Sequence, residues 1–260
     1  MPSLDKRTKK TGNALLGGLL ALCLASALSG CGGAGTTRPS SARTQGAGGP
    51  TAQPRFGSVD CREVKCVALT FDAGPSGNSA RLLDVLRAKG VPATFFLLGA
   101  RHIEKYPGLV RRMAAEGHEV ASHTWDHRIL TRIRPDEVRA ELERTNEAIE
   151  RLTGRRPTLM RPPQGRTNDT VHAVCRELGL AEVLWTVTAK DYRTTDPALI
   201  RRRVLAGADR DGIILLHDLY DGTVPAVPGI IDALKERGFV FVTVPQLLAP
   251  GAARPGKVYR

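Results

Sequence analysis

The chain has 260 residues and a mass of 28.0 kDa, and its 42% hydrophobic content supports one sizeable core. A formal charge of +12 suits nucleic acid, an anionic membrane or an anionic wall polymer, so charge alone does not choose the partner. Basic and aromatic residues do not interleave as a nucleic-acid surface requires, which argues against that partner.

Lys6, Arg7, Lys9 and Lys10 lead an apolar run over Ala14 to Leu28, followed by Leu28-Ser29-Gly30-Cys31. This order resembles a bacterial lipoprotein signal over residues 1–30. The resemblance implies cleavage before Cys31, lipid on its sulfur, and a protein held at the outer face of the cytoplasmic membrane. A plain secretory signal or a membrane-spanning anchor are the alternatives, although about fifteen apolar residues are few for a span. Cleavage would leave a charge of roughly +9.

Residues 31–60 are rich in Gly, Ala, Ser, Thr and Pro without an apolar period, the composition of a flexible tether. A folded domain is expected over 61–249, followed by a tail over 250–260. Cys61 and Cys66 could form a small disulfide in an oxidising compartment, and Cys175 falls on the apolar side of a helical pattern.

Within the domain, strand-like runs are predicted at Val67 to Phe71, Ala93 to Leu98, Glu119 to Ser122, Leu159 to Arg161, Val183 to Val187, Ile213 to Leu216 and Phe239 to Val244. Helices are predicted over Ala80 to Lys89, Asp136 to Leu152 and Thr170 to Leu178, each stopped by a glycine one or two residues on. Alternating strand and helix defines an α/β chain with parallel strands. A distorted (β/α) barrel of about seven strands is the first expectation, and an open doubly wound sheet the second.

Polar residues recur where these strands end, the edge on which such barrels carry their chemistry. The first strand ends in Phe71-Asp72-Ala73-Gly74-Pro75, the third in His123-Thr124-Trp125-Asp126-His127, the fourth in Arg161-Pro162-Pro163-Gln164-Gly165, and the sixth in His217-Asp218. The fifth runs through Trp185 to Asp191-Tyr192. His123 and His127 are four apart, which on a helical turn would set both imidazoles on one side of a metal ion. Asp72 could take a proton from water, Arg161 could lower its pKa, and His217 could protonate a leaving amine or alcohol with Asp191 as its carboxylate partner. The plainer alternatives are a turn-capping Asp72, a core His217, a structural Arg161 ion pair and an ordinary loop Asp191.

Thr70-Phe71-Asp72-x-Gly-Pro75, His123-Thr124-x-x-His127, Arg161-x-Pro163-x-Gly165 and Leu215-x-His217 together resemble the polysaccharide deacetylase family, with its NodB homology domain and carbohydrate esterase family four, over roughly Cys66 to Leu248. The resemblance implies a divalent metal, most commonly zinc, and removal of acetyl groups from sugars. It implies Asp72 as general base, His123 and His127 as ligands, His217 as general acid, Arg161 and Asp191 as their orienting partners, and a backbone N–H at Gln164 for the oxyanion. Trp185 and Tyr192 are substrate candidates.

Three positions depart from the pattern. Ala73 stands where the family has a second aspartate that binds the metal, Thr188 where aspartate is common, and Tyr192 where tryptophan is common. The expected activity is deacetylation of a wall or chitin-like glycan. A weak or inactive glycan binder and an O-acetyl (xylan) esterase are the alternatives.

Overall fold

The computed structural model describes residues 35–44 and 59–260. The expected signal peptide and the expected lipid site at Cys31 lie outside the described residues. Cys61 and Cys66 form a disulfide, with Cα atoms 5.4 Å apart, just ahead of the first strand. Cys175 is a buried free thiol, and burial pushes its pKa up, so the sulfur packs as an apolar group.

All sheet pairings are parallel. The strands are β1 (Lys65–Gly74), β2 (Thr94–Leu97), β3 (Glu119–Ser122), β4 (Leu159–Met160), β5 (Ala181–Val183), β6 (Val187–Thr188), β7 (Gly212–His217), β8 (Phe239–Val242) and β9 (Val258–Tyr259). β1 is the axis of the sheet. One edge pairs with β7 from Val67 to Asp72, while the other pairs first with β8 over Lys65–Ala68 and then with β2 from Thr70 on.

The spatial order is β6-β7-β1-β2-β3-β4-β5-β9. The single strand expected over Val183 to Val187 is thus two short strands, β6 at one end of that order and β5 next to last at the other. Leu184 N–H donates to Tyr259 O and Thr186 N–H to Ile213 O, so one extended run leaves one edge and arrives at the other, curling the sheet. The barrel expectation holds, with β5 and β6 in place of one strand and β9 added in the region expected as a tail. β8 stops at Val242 rather than Val244, because Thr243 accepts the Gln246 N–H as an N-cap and Pro245 opens α8 (Val244–Leu248).

Helices α2 (Ser79–Lys89), α3 (Pro107–Ala115), α4 (Pro135–Thr153), α5 (Asp169–Glu177), α6 (Pro197–Gly207) and α7 (Thr223–Glu236) complete the domain. Gly90 and Gly154 end α2 and α4 in the left-handed conformation, where an L side chain is strained. Leu82, Leu83 and Leu86 of α2 are buried against alternate β1 residues Val67, Leu69 and Phe71. Truncating one such leucine to alanine costs about 2–5 kcal/mol.

The opposite parity of β1, Cys66 and Ala68, faces an inner cluster with Phe96, Ala121, Ala181, Leu247, Leu248 and Tyr259. Small residues on the strands leave room inside for α8, which closes the end at which the strands begin. The same parity continues through Thr70 to Asp72, so the Asp72 carboxylate belongs to the interior at the opposite end.

Part of the segment expected as a tether is docked. Thr37 N–H donates to Val258 O and Arg260 N–H to Thr37 O, after which α1 (Pro39–Thr44) packs on α8. Arg43 is buried, its Nη1 donating to Leu247 O at 2.8 Å and its Nη2 reaching Asp211 Oδ2 at 2.6 Å. Two main-chain bonds and an enclosed ion pair outweigh the low apolar content that suggested a free linker. Among the described residues no helix is long and apolar enough to cross a membrane.

Candidate active site

Asp72 is buried where β1 ends, and its register partner across the sheet is His217 at the end of β7. Arg161 leaves β4 and runs inward, fully buried. Its Nη1 reaches Asp72 Oδ1 at 2.6 Å and Thr70 Oγ1 at 2.8 Å, Nε donates to Val183 O, and Nη2 donates to Leu184 O. The guanidinium carbon lies 4.1 Å from the Phe96 ring centroid. Burial depresses the Arg161 pKa, while the Asp72 charge and hydrogen bond oppose that shift. A buried guanidinium is tolerated because its donors are met and its charge is paired.

His217 Nδ1 lies 2.9 Å from Asp191 Oδ1. A carboxylate accepts, so Nδ1 carries the proton and Nε2 is the free edge of the ring. Asp191 also accepts from the His217 main-chain N–H and from Thr223 Oγ1. Burial by itself would lower the His217 pKa. The hydrogen bond and charge of Asp191, together with the charge of Asp72, outweigh it and hold the imidazole above its ordinary value.

His123 Nδ1 donates to Arg161 O at 2.7 Å, which turns Nε2 toward Asp72, 3.9 Å from Oδ2. Burial pulls its pKa down to about 4, keeping the ring a neutral nitrogen donor at pH 7. The His127 ring centroid is 5.0 Å away. The two histidines meet on a loop and not on the helical turn their spacing suggested: Thr124 and His127 have φ of 75° and 58°, and Thr124 Oγ1 accepts the His127 N–H. Buried Glu141 of α4 accepts the N–H groups of both Trp125 and Asp126 and so shapes this loop. Asp126 itself is exposed on the loop.

Ala73 lies in the left-handed region, φ 62°, at a bulge in β1 ahead of a cis Gly74–Pro75 bond. Its methyl offers no electron pair. His123 and His127 fit a divalent ion as a two-nitrogen set. Among the described residues no group of three or more His, Cys, Asp or Glu side chains is placed to hold a metal. The set falls one short of the three protein ligands usual at a catalytic zinc.

The remaining predicted residues line the same mouth. Gln164 takes a φ of 58° in the turn after β4, and Trp185 packs beneath that turn, since a Cβ on Gly165 would come within 2.9 Å of its ring. Tyr192 is 47% exposed, the one exposed large hydrophobic among the described residues, and meets the His217 ring edge-on at 6.0 Å. Beside it a cleft of about 480 Å³ is lined by Asp191, Tyr192, Arg193, Leu219, Tyr220 and Asp221 among others, a size that accepts a small ligand. Sequence reasoning missed Glu141, Thr223, Tyr220 and His102, whose Nδ1 donates to Pro75 O. Glu141 and Thr223 sit on helices without any motif, so no signal at the sequence level marks them.

A parallel barrel with a buried carboxylate–arginine pair beside a carboxylate–histidine pair at its open end has the base and the acid that hydrolysis requires. The polysaccharide deacetylase family model matches residues 60–183. A chitooligosaccharide deacetylase of Bradyrhizobium is 39% identical over 204 residues, covering 72% of this chain and 93% of that one. The peptidoglycan-N-acetylglucosamine deacetylase of Listeria monocytogenes is 40% identical over 184 residues, covering 70% of this chain and 39% of that protein. The chain thus corresponds to about two-fifths of that relative's length. The solved structure of T48 deacetylase with substrate superposes with a TM-score of 0.75 at 40% identity, covering 78% of this chain and all of that one. The chain belongs to the polysaccharide deacetylase family.

Proposed function

We propose that this protein removes N-acetyl groups from a wall glycan of peptidoglycan or chitin-like type, working at the outer face of the cytoplasmic membrane through lipid on Cys31. The observation that carries the chemistry is the adjacency of two oriented pairs, Asp72 with Arg161 and His217 with Asp191, on neighbouring strands. Relatives named as deacetylases of peptidoglycan and chitooligosaccharides support the substrate class.

Arg161 occupies Oδ1 of Asp72, leaving Oδ2 to accept a proton from the attacking water. His217 begins protonated, as its raised pKa favours, and gives its proton from Nε2 to the departing amine while Asp191 steadies the cation. A main-chain N–H in the turn at Gln164 would donate to the developing oxyanion. A divalent ion on His123 and His127, zinc first, would polarise the acetyl carbonyl.

Acetate release from N-acetylated peptidoglycan and chitooligosaccharides, measured with added zinc, cobalt or manganese, tests the reading. Release is expected for the native chain and is lost in Asp72→Asn and His217→Ala. No release from any N-acetylated glycan refutes it, and release from acetylated xylan alone would make the protein an O-acetyl esterase.

One observation favours a second reading: Ala73 leaves the ligand set incomplete. In that reading the protein binds glycan in the same mouth with little turnover. Oligosaccharide binding that is independent of added metal and yields no acetate would establish it.

A further inference from the structure

The segment 35–44 runs alongside β9 at Thr37 and ends, at Ala42 and Arg43, against the end of the barrel opposite the candidate active site. Thr37 exchanges main-chain hydrogen bonds with the Val258–Arg260 segment, and Arg43 joins Leu247 O to Asp211, the residue before β7 begins. The fit is close: a Cβ on Gly251 would lie 2.2 Å from Ala42 O. Asp72 and His217 stand at the other ends of β1 and β7. Lys65 and Asp72 are seven residues apart on β1, a rise of about 23 Å.

Cys31 precedes Gly35 by four residues, which span at most about 14 Å. Were the whole stretch from Cys31 to Val59 free, its 28 steps would give a root-mean-square span of about 30 Å. The docked decapeptide removes most of that freedom. Resting on the lipid reading of Cys31, we propose that residues 35–44 act as a strap that seats the floor of the barrel at the lipid surface and aims the Asp72–His217 mouth away from the membrane, toward the wall polymer.

The test uses the full-length lipidated protein in vesicles of phosphatidylethanolamine and phosphatidylglycerol that carry a headgroup-attached quencher. A fluorophore is placed by Lys257→Cys on the floor or by Lys190→Cys beside the mouth, both exposed positions. Cys61 and Cys66 are paired and Cys175 is buried, so the added thiol is the reactive one. Several-fold stronger quenching at position 257 than at 190 is expected. Arg43→Ala, and independently Gly251→Ala, should bring that ratio toward one while the lipid stays attached.

Equal quenching at the two positions in lipidated protein overturns the orientation and leaves the lipid reading intact. A ratio unchanged by both strap variants overturns the role of the strap. An intact mass showing no lipid on Cys31 overturns the lipid reading and this inference with it.

Discussion

Arg161 Nη1 lies 2.6 Å from Asp72 Oδ1, in a setting where Arg161 is wholly buried and Asp72 is 3% exposed. Neither charge can turn to water if the other is removed. Arg161→Ala should therefore cost about 3–5 kcal/mol in urea unfolding and abolish acetate release. Asp72→Asn, which keeps an acceptor near the guanidinium, should cost less stability while removing the base. Little stability loss in either variant would show that the ion pair is not what holds this end of the barrel.

Asp191 holds His217 above its ordinary pKa, and an acid that must be protonated loses activity as the pH rises through that value. Asp191→Asn should move the alkaline limb of the kcat profile to lower pH and reduce kcat by roughly 10²–10⁴. A limb that stays in place would mean that another group sets it.

Ala73 already occupies the left-handed region, which aspartate visits more readily than alanine. Ala73→Asp should restore a carboxylate beside His123 and His127 without new backbone strain. Metal affinity by calorimetry is expected to rise at least about tenfold, with acetate release rising in parallel. Unchanged affinity would count against the position assigned to the missing ligand.

His118 is 1% exposed, and its Nδ1 accepts the Ala93 N–H, so that nitrogen must be unprotonated. Burial lowers its pKa to about 4 from the ordinary 6.5. Between these values the unfolded chain binds the proton and the folded chain does not, so stability falls as the pH drops from about 6.5 to about 4, by on the order of 3 kcal/mol. Asp218 opposes it in part: burial raises its pKa to about 6, so the folded chain keeps a proton that the unfolded chain releases, and stability falls as the pH rises from about 4 to 6. Urea unfolding from pH 7 to 4 should show a weaker acid-side loss in His118→Gln than in the native chain.

The parallel α/β class was legible because apolar runs such as Val67 to Phe71 alternate with glycine-stopped helical patterns, a pattern fixed by local sterics and burial period. The residues at the strand ends were legible for the same reason, since a parallel barrel gives every strand end one destination. The split of Val183 to Val187 into β5 and β6 was not, because which edge a strand pairs with depends on partners far along the chain, 76 residues away for β5 with β9 and 27 for β6 with β7. Docking of residues 35–44 escaped notice because it rests on main-chain bonds and on one ion pair, Arg43 to Asp211, which leave no apolar period.

By itself, then, the sequence determined the residue types at the mouth and the absence of a carboxylate at Ala73. Only the tertiary structure decided how those residues act on one another. It took from His123 and His127 the helical turn their spacing implied and set their rings 5.0 Å apart on a loop shaped by Glu141. The physical reason is that burial and hydrogen bonding set both tautomer and pKa: Arg161 O fixes His123 as a neutral donor, and Asp191 fixes His217 as an acid.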